Sequence, residues 1–239
     1  MNLIIDSGNS RIKVALFDKS KMVSTRFFNH SELNEFDIFI QNVTIDGCII
    51  GSVSSVNNSF LNKIHTNYPV LELNSTTPLP IKNRYTTPHS LGNDRLANAV
   101  AGFTLFPNQN VLIIDAGTCL KFDFVNETKE YIGGSISPGL LMRYQALHQF
   151  TDKLPLLQVA SHPPIIGRDT PESIHSGVVN GMIGEINSLV NQYEKNYSDL
   201  KTTLCGGDTA YFSDHLKFNI FADLHLTLKG LNEILLYNQ

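Results

Sequence analysis

A short apolar strand that ends in aspartate and a glycine turn occurs twice in these 239 residues, and this repeat restricts the fold more than any other feature of the chain. Leu3-Ile4-Ile5-Asp6-Ser7-Gly8-Asn9 recurs as Leu112-Ile113-Ile114-Asp115-Ala116-Gly117-Thr118. Each copy leads into a second strand with alternating apolar residues. These are Ile12, Val14 and Leu16 within Arg11 to Asp18, then Leu120, Phe122 and Phe124 within Leu120 to Val125. The pattern predicts one β-hairpin with an acidic, glycine-containing turn near the start of each half. A second echo follows in the same order. Cys48-Ile49-Ile50-Gly51-Ser52 resembles Thr203-Leu204-Cys205-Gly206-Gly207, each an apolar strand that breaks into small residues. Two echoes in one order favour an internal duplication over coincidence.

Helical spacing fills the intervals. Asn93 to Phe106 carries Leu96, Val100 and Phe103 on one face and stops at Pro107. Thr170 reads as an N-cap with Pro171 and Glu172 in the first turn. The helix it opens places Ile174, Val178, Met182, Ile186, Leu189 and Tyr193 along one face, and Leu226 to Tyr237 reads as a last amphipathic helix. Strands and helices are mixed in both halves, so the class is α/β. A boundary in the Pro107-Asn108-Gln109-Asn110 turn divides the chain into lobes 1–110 and 111–239.

Composition excludes several functions. With 42% hydrophobic and 17% charged residues the chain reads as soluble and globular, and no apolar run approaches the roughly 18–20 residues of a membrane span. Asp6 inside the first apolar stretch argues against a signal peptide, which leaves the cytoplasm as the expected location and no membrane partner. A net charge of −4 without a basic cluster argues against nucleic acid as a partner. Cys48, Cys119 and Cys205 lie far apart and read as buried thiols. The eight histidines lack the spacing of a zinc site.

The chain has neither a Walker A motif nor Gly-x-Gly-x-x-Gly, so a bound nucleotide is held another way. The doubled Asp-x-Gly turn offers that way. Backbone N–H groups in a tight turn donate to phosphate oxygens, and Asp6 or Asp115 beside them can position Mg²⁺ directly or through its water shell. Lys13, on the returning strand, can reach back to the phosphates as a point charge.

Six segments in one order resemble the type III pantothenate kinase family. They are Asp6-Ser7-Gly8-Asn9-Ser10-Arg11-Ile12-Lys13, Gly92-Asn93-Asp94-Arg95, Asp115-Ala116-Gly117-Thr118, Gly133-Gly134-Ser135-Ile136-Ser137-Pro138-Gly139, Thr170 with Ser173-Ile174, and Gly206-Gly207. The resemblance implies two ribonuclease-H-like lobes, as in the actin, hexokinase and acetate kinase superfamily. It also implies transfer of the ATP γ-phosphoryl group to pantothenate, the first step toward coenzyme A. The enzyme expected is a cytoplasmic homodimer that uses Mg-ATP and a monovalent cation, potassium or ammonium. Its subunits are expected to pair across a twofold axis through the helix that carries the Ile174-to-Tyr193 stripe, with Thr170 toward the neighbour's active site. On this resemblance Asp6, Ser7, Gly8, Asn9, Ser10, Arg11, Ile12 and Lys13 match the ATP-phosphate loop, with Thr118 as a further ATP contact. Asp94 matches the general base. Tyr85, Gly92, Asn93, Asp94, Arg95 and Thr170 match substrate contacts, and Asp115 matches the ligand of the monovalent cation. Two other readings stay open: a kinase for another small hydroxy acid on the same fold, and a non-catalytic regulatory relative. The chain departs from the family pattern after Asp115, where Cys119 and Lys121 stand in the places of alanine and threonine. Lys121 thereby brings a cation near Asp115, unless strand alternation turns it away.

Overall fold

Both predicted hairpins form. The computed structural model describes residues 1–8, 11–29, 35–52 and 58–239. Its first elements are β1 (Asn2–Ser7), β2 (Ile12–Asp18), β3 (Lys21–Phe28), α1 (Phe36–Ile40), β4 (Gly47–Ile50), α2 (Asn58–Asn67), β5 (Val70–Glu72), β6 (Lys82–Asn83) and α3 (Asn93–Leu105). Then follow β7 (Val111–Ala116), β8 (Cys119–Val125), β9 (Glu130–Pro138), α4 (Leu140–Gln149), α5 (Thr170–His175), α6 (Gly181–Asn196), β10 (Lys201–Cys205), α7 (Thr209–Ser213), β11 (Phe221–Ala222) and α8 (Leu226–Tyr237).

The backbone divides into two units. The first comprises Met1–Leu105, Lys129–Tyr131 and His225–Gln239. Its five-stranded sheet has the order β3-β2-β1-β4-β5. β1 pairs antiparallel with β2 and parallel with β4, which pairs parallel with β5. Every residue of β1 and β4 is buried, which explains why both read as unbroken apolar runs rather than alternating ones. One core gathers Leu3, Ile5, Ile12 and Val14 with Phe28, Phe36, Phe60 and Ile64. α8 packs against α3, β1 and β4. Gly230 makes this approach possible: a Cβ there would lie 1.8 Å from the Ala97 carbonyl oxygen. Two polar side chains of α8 are satisfied as well: Thr227 donates to Asn98 and Asn232 donates to the Lys19 carbonyl.

The second unit comprises Phe106–Thr128 and Ile132–Leu224. Its strands run in the order β11-β10-β7-β8-β9. β7 pairs antiparallel with β8 and parallel with β10, which pairs parallel with β11. The opening residues of β9, which group with the first unit, pair there with β6. Each unit therefore carries the same strand order and the same switch from antiparallel to parallel pairing. These are two ribonuclease-H-like lobes, and their shared topology accounts for the repeat in the sequence. The division differs from a single cut near residue 110: the first stretch ends at Leu105, Lys129–Tyr131 group with the first unit, and residues 225–239 return to it, where α3 supplies the face that α8 covers.

Two local expectations are corrected. The N-cap of α5 is Asp169, not Thr170: its carboxylate accepts from the Glu172 N–H at 2.8 Å, and Thr170 is the first helical residue. A carboxylate one position earlier takes the cap, and the Glu172 side chain reaches back to the Arg168 N–H. Between α5 and α6, residues 176–180 form a π-helical turn, which brings both Val178 and Val179 into the core. The stripe of Ile174, Val178, Met182 and Ile186 packs with Leu112, Ile114, Leu120 and Phe122 of its own unit.

Candidate active site

In the first unit the polar end of the sheet is built by β1, β4 and α3. Asp6 follows the apolar residues of β1, is 7% exposed, and stands directly opposite Lys13 in the hairpin register. The Lys13 ammonium lies 3.7 Å from the Asp6 carboxylate. The Gly8 N–H donates to the Arg11 carbonyl across the turn, and the buried Ser7 hydroxyl makes no hydrogen bond among the described residues. Asn9 and Ser10, both expected phosphate contacts, lie outside the described residues. Arg11 is exposed, whereas the Ile12 side chain is fully buried, so only its backbone is available to a ligand.

Gly51 follows β4 beside Asp6, where a Cβ would sit 3.6 Å from the carboxylate. Its carbonyl accepts from the Asn93 side-chain amide at 2.7 Å, and the same amide donates to the Leu73 carbonyl. Asn93 thus ties the N-terminus of α3 to the end of β4 that lies beside Asp6. Asp94 follows in the first helical turn, a favourable place for a carboxylate, and accepts from the Arg95 N–H at 2.9 Å. Arg95 is buried, with its guanidinium 5.6 Å from the centre of the Tyr85 ring, and Tyr85 in turn leans on Tyr131. Six expected residues of the first unit, Asp6, Lys13, Asn93, Asp94, Arg95 and Tyr85, are therefore linked by contacts within that unit.

The second unit repeats the arrangement with a tighter ion pair. Asp115 stands opposite Lys121 in the β7–β8 register, and the Lys121 ammonium lies 2.6 Å from its carboxylate. Gly206 ends β10 beside Asp115 as Gly51 ends β4 beside Asp6. Its φ of +97° suits glycine, and a Cβ there would lie 2.3 Å from the Ala116 carbonyl oxygen. Asp208, absent from the sequence expectations, also belongs here. Its N–H donates to the Ala116 carbonyl, and burial, then the charge of Asp115, pushes its carboxyl above the usual range. An acid directly after Gly206-Gly207 was the signal available in the sequence. Thr118 is exposed on the hairpin turn. The segment Gly133–Gly139 is anchored by Ser137 and Arg143, which both donate to Glu185. Thr170 is exposed on an open cleft of about 580 Å³, with Leu147, Leu154 and Asp169.

The donor sets decide which ions fit. Asp6 offers a single carboxylate, and no group of three or more His, Cys, Asp or Glu occurs among the described residues. That suits Mg²⁺, which binds through one or two carboxylates, waters and substrate phosphates. A potassium or ammonium ion on Asp115 fits poorly, because a lysine ammonium already holds that carboxylate.

The family model for type III pantothenate kinase matches residues 2–192. A type III pantothenate kinase of Bacteroides fragilis is 44% identical over 239 residues, spanning 100% of this chain and 98% of that protein. The chain belongs to the type III pantothenate kinase family. Another member, from Cytophaga hutchinsonii, is 42% identical over 239 residues, with all of both chains covered. Among solved structures, a Campylobacter jejuni protein whose name assigns it to the Baf family of transcriptional activators superposes with a TM-score of 0.62. It is 20% identical, covers 99% of this chain and 98% of its own, and shares the fold. As a type III pantothenate kinase family member, the protein is an ATP-dependent kinase of coenzyme A biosynthesis.

Proposed function

We propose that the protein transfers the γ-phosphoryl group of ATP to the terminal hydroxyl of pantothenate, giving 4′-phosphopantothenate. The observation that carries this reading is the link from Asp6 and Lys13 through Gly51 and Asn93 to Asp94. It couples a phosphate-type turn to a carboxylate suited to taking a proton from an alcohol. In this reading Asp94 is the general base, which must accept the hydroxyl proton as the phosphorus–oxygen bond forms. Arg95, packed on Tyr85, balances charge, and Tyr85 with Gly92 and Asn93 shapes the pantothenate site. Ser7, Gly8, Arg11 and Lys13 hold the ATP phosphates, Asn9 and Ser10 extend that loop, Ile12 contributes its backbone, and Thr118 is a further ATP contact. Mg²⁺ bound with ATP neutralises phosphate charge and orients the transferred group, and Asp6 is the residue that would hold it.

The reading extends to assembly and place. The apolar stripe of α6 is used within its own unit, so a homodimer built on this helix uses the opposite side. Gly177, Gly181 and Gly184 lie there, and a Cβ at any of them would meet nothing within 4 Å. Exposed Phe150, Leu156, Ile165 and Ile166 of the same unit support a surface that a second copy covers, with Thr170 on the neighbouring helix serving the partner's pantothenate site. The cytoplasm is the expected compartment: all three cysteines are free thiols, and no described helix is long and apolar enough to cross a membrane. The test is ADP release with pantothenate, Mg-ATP and a panel of other small hydroxy acids. Pantothenate-dependent turnover well above the ATPase background is expected. Turnover equal to background, or faster turnover with another hydroxy acid, overturns the assignment.

A further inference from the structure

We propose that Lys121 supplies from the chain itself the positive charge at Asp115 that the family resemblance assigns to a potassium or ammonium ion, so that the protein needs no monovalent cation. The inference rests on the reading of Asp115 as the residue at which that ion would act.

The hairpin register decides where Lys121 points. Asp115 and Lys121 are direct cross-strand partners, so their side chains leave the sheet on the same face. The ammonium lies 2.6 Å from the Asp115 carboxylate, a charge-assisted hydrogen-bond distance, and the two side chains are 14% and 12% exposed. A pair this enclosed is screened far less by salt than an ion pair on open surface. A lysine ammonium also has the charge and the donor chemistry of the free ammonium ion. An external monocation on the same carboxylate oxygen would have to displace the lysine or stand beside it against like-charge repulsion.

The first unit provides a comparison within the same molecule. Lys13 takes the matching register position opposite Asp6, but its ammonium lies 3.7 Å away and its side chain is 31% exposed. The cross-strand lysine is thus present in both copies of the repeat and is closed onto its aspartate in the second. The neighbouring Asp208 adds a second carboxylate to the surroundings of Asp115, as the upward push on its carboxyl reflects. Lys121→Thr would leave both acids without this ammonium, which is the setting in which an external cation binds.

The experiment compares the wild type with Lys121→Thr in potassium, ammonium and tetramethylammonium chloride at equal ionic strength. ADP release by the wild type should agree within about twofold in all three salts. Lys121→Thr should lose at least tenfold in tetramethylammonium and recover with potassium or ammonium. Thallium-205 NMR with Mg-ATP and no pantothenate reads cation binding without turnover, so failure of the pantothenate assignment does not obscure the result. A thallium signal displaced by potassium in Lys121→Thr but not in the wild type supports the inference. Displaceable binding to the wild type, binding to neither protein, or a tenfold activation of the wild type by potassium overturns it. If circular dichroism shows the variant unfolded, the wild-type thallium spectrum decides alone: a displaceable signal overturns the inference and its absence supports it.

Discussion

Asp94 and Asp6 are both partly or wholly buried carboxylates at the same end of the first unit's sheet, and the proposed reaction gives them different work. Asp94 sits in the first turn of α3, whereas Asp6 faces Lys13 across the β1–β2 hairpin. Asp94→Asn keeps the acceptor for the Arg95 N–H and removes the base. kcat should fall at least 100-fold, the low end for loss of a general base, while KM for ATP stays within about threefold. A fall of less than tenfold, roughly 1.4 kcal/mol, would end its assignment as base. Asp6→Asn should instead raise KM for Mg-ATP. A different residue-scale prediction concerns stability. Burial pushes the Cys48 thiol up to about 12, from an ordinary value of 9.0. Above pH 9 the unfolded chain loses this proton and the folded chain keeps it, so stability is complete below pH 9 and is lost as pH rises toward 12. The slope is up to about 1.4 kcal/mol per pH unit. The melting temperature of the wild type should therefore drop more steeply between pH 9 and 11 than that of Cys48→Val; parallel curves would refute it. Such roles were only half legible in the sequence. Asp6, Asp94 and Asp115 stand out because acids end apolar runs or open helices. The closure of Lys121 on Asp115 depends on cross-strand register, which a one-residue change in turn length would reverse.

At the scale of elements, period and punctuation carried most of the information. Alternation located β2 and β8, and the spacing of Leu226 to Tyr237 coincides with α8. The cap of α5 falls one residue before the position the pattern favours, because Asp169 and Thr170 are both capping types and only the hydrogen bond from the Glu172 N–H separates them. The π-turn at 176–180 left no mark in a pattern read at 3.6 residues per turn. Gly230 is the instructive case. In the sequence it looks like a weakness in a helix; in the fold it is where α8 meets the backbone of α3. Alanine normally stabilises a helix over glycine by about 1 kcal/mol. Here the added methyl would collide with a backbone carbonyl that cannot rotate away, so Gly230→Ala should instead destabilise by about 1–3 kcal/mol. Chemical denaturation reads the sign directly, and an unchanged or raised midpoint would refute this account of the packing.

The whole molecule raises a question that periodicity could not answer, because an apolar stripe shows that a helix is covered and not by what. The α6 stripe is covered by its own unit, which moves the dimer argument to the side lined by Gly177, Gly181 and Gly184. Glycines on a helix face let another backbone approach closely, and side chains placed there hold it off. Gly184→Leu has open space around it in the single chain, so the fold should tolerate it. If a second copy packs on this face, sedimentation velocity should show dimers shifting to monomers while circular dichroism stays native. A variant that remains dimeric places the interface elsewhere. Mixing Asp94→Asn with Thr170→Arg protomers then asks whether the pantothenate site is shared. In a heterodimer with shared sites, one site carries both substitutions and the other neither. Random exchange makes half of the dimers mixed, so roughly a quarter of wild-type activity should return. If exchange is verified by mass-tagged protomers and no activity returns, Thr170 serves its own chain and the shared site is wrong.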